Sequence, residues 1–478
     1  MKKFTTLLFV LLISCGAFAQ FNFVWNDTYS YTVTSGFSNE ARKVAVDASG
    51  NVFVLSDITS DLDSTNHVGP TQYYVVLRKY TPAGVLLVQK FVNVKNMMVS
   101  GTFDFKSAFA LEIDGSGSVF IGFNTFNSVG SNYDVQVMKY NNNLTSAWTF
   151  IYSTPANETG VNIVLRGTAT FLLFKSVTGA NTTYSIARVI PNTGTSVPLY
   201  SFDTNLDVVT NMVTTPTKNL FVTGYRLISG VKNVMTASVN TSGLLKWKST
   251  YNNGTVSGDD VGNDILASID GFLYVGGTTF TNATNGTDAL ILRYNSANGT
   301  RNSGLLINIP QGAVINETGY EVVDGPVGTI YFSATRGNRD VFVYKVSTSN
   351  GVVLNANASF KPNPASFTSI SSLNIADMKV SASGKVYVCG GITGGSASGN
   401  FGASYLANFG PVSGAFSLLG NVATTGTSDD SYQGVGIALD PPRNVLIYLQ
   451  SFWSTNLTHS NELILVDSYS MECFGPEH

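Results

Sequence analysis

Five pairs of acidic or amide residues recur along the chain, and their side chains suit the binding of a polar ligand. Each pair precedes a short apolar stretch of a repeated unit, and the apolar triplets of that unit lie on average about 56 residues apart. Converging carboxylates can hold a cation or accept hydrogen bonds from sugar hydroxyls. Alternatively, each pair caps a loop or bonds to a neighbouring repeat. The pairs are Asn39-Glu40, Asn157-Glu158, Asp259-Asp260, Asn316-Glu317 and Asp429-Asp430.

Three aspartates, Asp57, Asp61 and Asp63, alternate somewhat as in a calcium loop. The glycine and the closing glutamate of an EF-hand are missing, so this is a weak metal candidate. An aromatic pair, Phe452 and Trp453, stands near His459 in a polar stretch. These rings either stack on a sugar or cover the edge of a sheet.

Other catalytic and metal chemistry finds little support in the sequence. The three histidines are far apart, and no Cys/His spacing fits zinc. The sequence contains no nucleophile elbow and no glycine loop for phosphate. It therefore predicts no cofactor and no catalytic residue. Whether Cys389 and Cys473 pair is left open.

The first nineteen residues have the pattern of a signal peptide. Lys2 and Lys3 precede an apolar run, and Ala17-Phe18-Ala19 provides a small-x-small cleavage site before Gln20. A second interpretation is a lipobox that ends at Cys15, which would leave this cysteine lipidated and the protein attached to the outer membrane. Either way the protein is expected to be exported, to the periplasm, the cell surface or the medium.

The composition excludes several kinds of partner. Charged residues make up 12% of the 478 residues and the net charge is −3, so no basic surface for nucleic acid is expected. No later apolar run approaches the roughly 18 residues that a membrane-spanning helix needs. The sequence predicts a monomer.

A repeated unit accounts for nearly the whole mature chain. Its centre is a turn followed by an apolar triplet, as in Gly50-Asn51-Val52-Phe53-Val54 and Gly271-Phe272-Leu273-Tyr274-Val275. Short strands flank each triplet, with no helical periodicity, which is typical of a propeller blade of four antiparallel strands. Eight copies predict an all-β, single eight-bladed β-propeller, with seven blades as the alternative. The predicted blades are 39–97, 98–155, 156–203, 204–253, 254–311, 312–363, 364–424 and 425–470, the last completed by 21–33.

The two ends of the chain are predicted to meet. The pattern W-x-x-x-Y of two outer strands, Trp148–Tyr152 and Trp247–Tyr251, also occurs at Trp25–Tyr29, before any blade begins. The last unit ends after its third strand, Leu463–Val466. The N-terminal strand should therefore supply the missing outer strand and close the ring.

The pattern D-x-x-G-N-apolar-aromatic-apolar at Asp47–Val54, and the basic-aromatic strand ends Lys139-Tyr140 and Arg293-Tyr294, resemble the bacterial β-propeller repeat family of the SBBP type. The resemblance implies a propeller fold and export. It implies no active site, because the shared motifs are structural.

The segments that follow second strands vary in length and suggest a binding face. They are Asp57–Gln72, Thr279–Thr287, Thr393–Gly402 and Ser451–Asn461, against the short Arg336–Asn338. The sequence thus predicts a binding or surface-interaction module whose ligand is a glycan or a protein. The alternative is a secreted enzyme that acts on carbohydrate with carboxylates at the channel mouth.

Overall fold

The computed structural model describes most of the chain after the leader-like segment, with gaps between strands. The described residues are 22–30, 39–61, 71–94, 107–190, 198–215, 219–254, 258–282, 286–302, 316–337, 340–355, 359–360, 369–396, 399–409, 416–422, 430–443, 445–454 and 460–467. All their regular elements are β-strands, and none of these residues forms a helix that could cross a membrane.

The chain is built from eight repeats, most of them of four strands, which are numbered here along the sequence, and it begins with a strand that precedes the first repeat, β1 (Asn22–Ser30). The first two repeats are β2 (Asn39–Val46), β3 (Val52–Asp61), β4 (Thr71–Tyr80), β5 (Leu86–Asn93); and β6 (Ala108–Ile113), β7 (Val119–Asn127), β8 (Asn132–Tyr140), β9 (Ser146–Tyr152). The third and fourth are β10 (Asn157–Arg166), β11 (Ala169–Thr178), β12 (Asn181–Val189), β13 (Tyr200–Ser201); and β14 (Asp207–Thr214), β15 (Asn219–Ile228), β16 (Val231–Asn240), β17 (Leu245–Tyr251).

The later repeats follow the same order. The fifth and sixth are β18 (Val261–Ala267), β19 (Phe272–Asn282), β20 (Gly286–Asn295), β21 (Arg301–Asn302); and β22 (Glu317–Asp324), β23 (Thr329–Arg336), β24 (Asp340–Ser347), with β25 (Val353–Asn355) and β26 (Ser359–Phe360) both beside β24. The seventh and eighth are β27 (Ser369–Val380), β28 (Val386–Ser396), β29 (Gly399–Phe409), β30 (Phe416–Val422); and β31 (Asp430–Asp440), β32 (Val445–Ser454), β33 (Ser460–Asp467).

Tight turns join the first two strands in the repeats whose connecting residues the structure describes throughout. Gly50 and Gly271 have φ values of 77° and 84°, a conformation that strains residues with a Cβ atom. In the first repeat the Asp47 carboxylate accepts the backbone N–H groups of Ser49 and Asn51, which holds the turn closed. The hairpins predicted from these turn glycines are therefore confirmed.

Apolar layers lie between consecutive repeats and form the core. Between the fifth and sixth repeats, Tyr274 and Ile291 pack with Phe332 and Tyr344, all fully buried. A similar layer joins the last repeat to the first, where Ala438 and Leu449 pack against Val54. Each sheet thus removes both apolar faces from water only because it has a neighbour on either side.

The first strand closes the ring as predicted. β1 pairs antiparallel with β33 from Asn22 opposite Asp467 to Ser30 opposite Ser460, and Trp25 lies opposite Leu465. The strand that begins the chain is therefore the outer strand of the last repeat. This arrangement covers an edge of β33 that would otherwise be free to pair with another chain.

The prediction of eight separate blades is wrong. The described strands form seven sheets, so the protein is a seven-bladed β-propeller with four antiparallel strands per repeat. A parallel bridge between β29 and β31, with Gly402 opposite Ser431, joins the seventh and eighth repeats into one eight-stranded sheet. Glycines permit this approach, since a Cβ atom on Gly434 would lie 2.8 Å from the carbonyl oxygen of Gly390 in β28.

The segments predicted as variable loops are in large part strand. The β3–β4 hairpin extends to Asp61 opposite Thr71, and the β28–β29 hairpin extends to Ser396 opposite Gly399. Continued backbone pairing explains the difference, because a polar sequence can extend a ladder beyond the core without burying side chains. These hairpins still project from the edge of the propeller at which the inner strands begin.

Candidate functional site

Three of the five acidic residues predicted at the channel mouth are buried instead, and a fourth, Glu40, is partly exposed. Glu158 is 0% exposed, and Asp260 and Glu317 are each 1% exposed. Burial raises the pKa of all three carboxyl groups, that of Glu158 to about 7. Groups so enclosed do not form a ring open to a ligand from the channel.

Their partners show what Asp260 and Glu317 do. Asp260 accepts hydrogen bonds from the Thr279 hydroxyl at 2.6 Å and from the backbone N–H of Asn253 at 2.9 Å. Glu317 pairs with Arg336 at 3.0 Å and accepts the N–H of Ala289, a residue of the preceding repeat, at 3.4 Å. The sequence suggested a second role for these acids, in which each caps a loop or bonds to a neighbouring repeat. That role describes both Asp260 and Glu317.

The first repeat uses two acids and one arginine in the same way. Arg42 lies 2.5 Å from a carboxylate oxygen of Glu40 and 2.6 Å from Asp57. Asp57 also accepts the N–H groups of Ser107 and Ala108 in the second repeat, each at 3.0 Å. The carboxylate of Asp57 is thereby bound by other groups of the protein. Of the other two aspartates, Asp61 ends β3 and Asp63 lies outside the described residues.

The aromatic candidates belong to a hairpin, not to a loop. Phe452 lies opposite Tyr432 and Trp453 opposite Ser431 in the pairing of β32 with β31, which begins at Asp430. The predicted loop Ser451–Asn461 is therefore wrong for its first four residues, which belong to β32, and for its last two, which belong to β33. His459, Cys473 and the possible lipidation site Cys15 lie outside the described residues, and Cys389 is a buried free thiol in β28.

A belt of polar side chains that the sequence analysis missed lines the inner strands. Each inner strand carries a bulge, and a polar residue lies in the bulge or directly after it in five consecutive repeats. These residues are Asn162, Asn211, Asp264, Glu321 and Asp377, which are named here the channel belt. A bulge leaves backbone groups outside the ladder, and they need other partners.

Members of the belt supply those partners from one repeat to the next. Asn162 donates to the Asn211 side-chain oxygen at 2.6 Å, and Asn211 donates in turn to Asp264. Asp264 accepts the N–H of Val322 at 2.9 Å, and Asp377 accepts that of Ile437 at 2.8 Å. The belt therefore fastens successive inner strands around the channel.

A cavity of about 440 Å³ adjoins the belt between β14, β18, β22 and β27. Its walls combine amides, carboxylates, a hydroxyl and one aromatic ring. They are Asn211, Asn263, Asp264, Thr318, Tyr320, Glu321, Ile375 and Ala376. This volume and this mixture of donors and acceptors suit a small hydroxylated molecule.

Several opposite charges converge on the same channel. Burial raises the pKa of Glu321 well above its ordinary value, although Lys379, 3.8 Å away, opposes the shift. Burial likewise raises the pKa of Asp264. Burial by itself lowers the pKa of Lys379, but Asp377 and Glu321 outweigh it and raise that pKa. A neutral Glu321 or Asp264 can donate a hydrogen bond as well as accept one.

Glu112 of β6 is expected to make the stability of the protein depend on pH. Burial raises its pKa from 4.5 to about 7, against the opposing effect of Lys43 and Lys379. The folded state therefore binds more protons than the unfolded state between these values, and the stability due to this group is lost as pH rises from about 4.5 to 7. In the wild type, Glu112 should lower the free energy of unfolding by up to about 3 kcal/mol over this pH range. Glutamine does not titrate, so Glu112→Gln should abolish this fall.

Urea denaturation of both forms at pH 5 and pH 7.5 measures this difference. Asp259→Asn is the matched control, because Asp259 is exposed and pairs with Lys232. The same fall in stability with pH in wild type and Glu112→Gln would contradict the expectation.

The sequence contained one signal for the channel belt. A polar residue stands four positions after the acidic or amide pair in the third, fifth and sixth repeats, at Asn162, Asp264 and Glu321. The bulge in each inner strand decides that these residues, and not the pairs, face the channel.

Comparisons with known proteins concern the fold. No protein-family model and no curated protein match the chain. The β-propeller domain of the Trilobed protease from Pyrococcus furiosus is 10% identical, over 93% of this chain and all of that one, with a TM-score of 0.40. Sqt1 from Chaetomium thermophilum is 10% identical over 91% of this chain and 99% of that one, with a TM-score of 0.49. An acylaminoacyl peptidase from Pyrococcus horikoshii is 9% identical over 86% of this chain and 58% of that one, with a TM-score of 0.41. These similarities extend to the propeller fold alone.

Proposed function

We propose that this protein is an exported binding module that holds a hydroxyl-rich ligand, such as a short glycan, in the channel cavity. The observation that carries the proposal is the wall of the cavity, where Asn263, Asp264, Thr318 and Glu321 stand beside the ring of Tyr320. Amides and carboxylates match the alternating donors and acceptors of a sugar, and an aromatic ring offers a face to its apolar side.

The position of the cavity supports an approach from the hairpin face. Thr318 lies at the beginning of β22, and the neighbouring Glu317 pairs with Arg336 at the end of β23. The beginnings of the inner strands therefore share one edge of the propeller with the hairpins between second and third strands. We propose that a ligand enters past these hairpins, which differ in length between repeats.

Export follows from the signal-peptide pattern of residues 1–19 and from the resemblance to exported propeller repeats. The mass of the secreted chain tests it: cleavage before Gln20 and lipid attachment at Cys15 give different masses.

Binding is tested on a glycan array with the mature chain, followed by titration of the best ligand. We expect Thr318→Val and Glu321→Leu each to weaken binding about tenfold or more, since each removes a hydrogen-bonding group worth about 1.4 kcal/mol or more to a bound sugar. Thr318→Val preserves the size of the side chain, so its fold should be intact. Asp259→Asn serves as the control that leaves the cavity unchanged.

A second candidate function is hydrolysis or lyase chemistry on carbohydrate. Asp264 and Glu321 line one cavity, and burial raises the pKa of both, as a general acid requires. A glycosidase screen separates the two candidates. Ligand retention without product favours binding, and product formation abolished by Glu321→Gln favours the enzyme. Absence of both retention and product across the array and the screen would overturn the assignment of a glycan ligand.

A further inference from the structure

Two junctions between repeats bring an aspartate close to a glutamate. At the junction of the second and third repeats, Asp134 of β8 lies near Glu158 of β10, and its charge adds to the raised pKa of Glu158. At the junction of the fifth and sixth repeats, Asp288 of β20 acts in the same way on Glu317. The two junctions therefore share one arrangement of acids.

They differ in the residue that faces the glutamate across the inner hairpin. Arg336 lies opposite Glu317 in the ladder and pairs with its carboxylate at 3.0 Å. The corresponding residue opposite Glu158 is Ser176, which carries no charge. Among the described residues no lysine, arginine or histidine forms an ion pair with Glu158 or Asp134, so this junction lacks the cation that the other one contains.

Two oxygen atoms at the junction also lack partners. Glu158 Oε1 accepts a hydrogen bond from the Thr154 hydroxyl, but Oε2 has no hydrogen-bond partner within the described part of the chain. The same is true of Asn132 Oδ1, in a side chain that is 3% exposed. Asn132 Nδ2 donates to Asp134 Oδ1 at 3.2 Å and to the carbonyl oxygens of Thr154 at 2.7 Å and Ala156 at 2.6 Å, which fixes the orientation of the amide. Buried polar atoms without partners are rare in folded proteins, because each costs free energy.

We propose that Glu158, Asp134 and Asn132 bind one calcium ion at the junction of the second and third repeats, in the role that Arg336 fills at the equivalent junction. The candidate ligands are all oxygen atoms: Glu158 Oε2, Asn132 Oδ1 and the carboxylate oxygen of Asp134 that does not accept from Asn132. Calcium prefers oxygen ligands and tolerates irregular geometry, whereas magnesium requires a nearly ideal octahedron. The site is separate from the channel cavity and does not depend on the proposed glycan.

Titration of the EDTA-treated mature protein with CaCl2, by calorimetry and by equilibrium dialysis, tests the proposal. We expect one ion per chain with a Kd on the order of 0.1 to 1 mM, as in extracellular calcium modules. A saturating 10 mM CaCl2 should raise Tm by about 2 to 4 °C. Glu158→Gln should lose binding, and the matched variant Glu317→Gln at the other junction should keep it.

Ser176→Arg supplies the missing cation. It also distinguishes a specific loss of calcium binding from a loss caused by misfolding. We expect this variant to lose calcium binding and to have, in EDTA, a Tm at or above that of the wild type in EDTA. No calcium binding by the wild type, or unchanged binding by both Glu158→Gln and Ser176→Arg, would overturn the proposal. Stabilisation by NaCl but not by CaCl2 at matched ionic strength would also overturn it, in favour of sodium. A wild type whose Tm changes with pH but not with CaCl2 would overturn it in favour of a bound proton.

Discussion

A chain that lacks β1, residues 22–30, is expected to lose on the order of 5 kcal/mol of unfolding free energy and roughly 5 to 10 °C of Tm. The reason is the antiparallel ladder between β1 and β33, which runs from Asn22 opposite Asp467 to Ser30 opposite Ser460. Each cross-strand pair contributes roughly 0.2 to 1 kcal/mol. The same strand leads directly into the first repeat, so its removal also releases the link between the first and last repeats.

Thermal unfolding followed by circular dichroism measures this effect. A synthetic peptide of residues 21–33, added to the shortened chain, should restore part of the lost Tm by filling the vacated edge of β33. A peptide of the same composition in scrambled order is the control. An unchanged Tm after the deletion would show that the ring does not depend on this strand.

Asp57→Ala is expected to destabilise the protein by about 3 kcal/mol. The Asp57 carboxylate holds Arg42 at 2.6 Å and accepts the N–H groups of Ser107 and Ala108 at 3.0 Å. Alanine would leave the largely buried guanidinium without this partner, and it would leave two N–H groups at the start of β6 unpaired. Loss of one member of such a set costs more than the set contributes, because the remaining groups stay desolvated.

Urea denaturation at pH 7.5 measures the loss, with Asp57→Asn as the closest control. Asparagine keeps one acceptor oxygen and the side-chain shape, so its effect should be about half as large. Burial raises the pKa of Asp57 to about 6, so the carboxylate is mostly ionised at this pH. Equal stability of wild type and Asp57→Ala would mean that the apolar layer alone joins the first two repeats.

The parts of the fold that depend on local sequence could be predicted well. Turn glycines such as Gly50 and the apolar triplets that follow them placed the hairpins, because positive φ and the alternation of side chains are local requirements. The W-x-x-x-Y pattern of the outer strands also occurs at Trp25–Tyr29, before the first repeat. It predicted that β1 would complete the last repeat, and the pairing of Trp25 with Leu465 confirms this.

The sheet count and the channel required tertiary structure. Gly402 and Ser431 form the bridge that merges two repeats, and nothing local distinguishes this pair from others before the repeats are packed. The bulges decide similarly which polar residues face the channel, since one extra residue reverses the faces of all those that follow. Thus Asp264 and Glu321 line the cavity, while Asp260 and Glu317, four residues earlier, are buried between repeats. The repeated hairpins were predictable from the sequence because each depends on short-range geometry, and the strand that closes the ring was predictable because its pattern repeats that of other outer strands. Only the packing of one repeat against the next decided how the acids are distributed between the channel and the junctions, because that distribution depends on the register between strands distant in sequence.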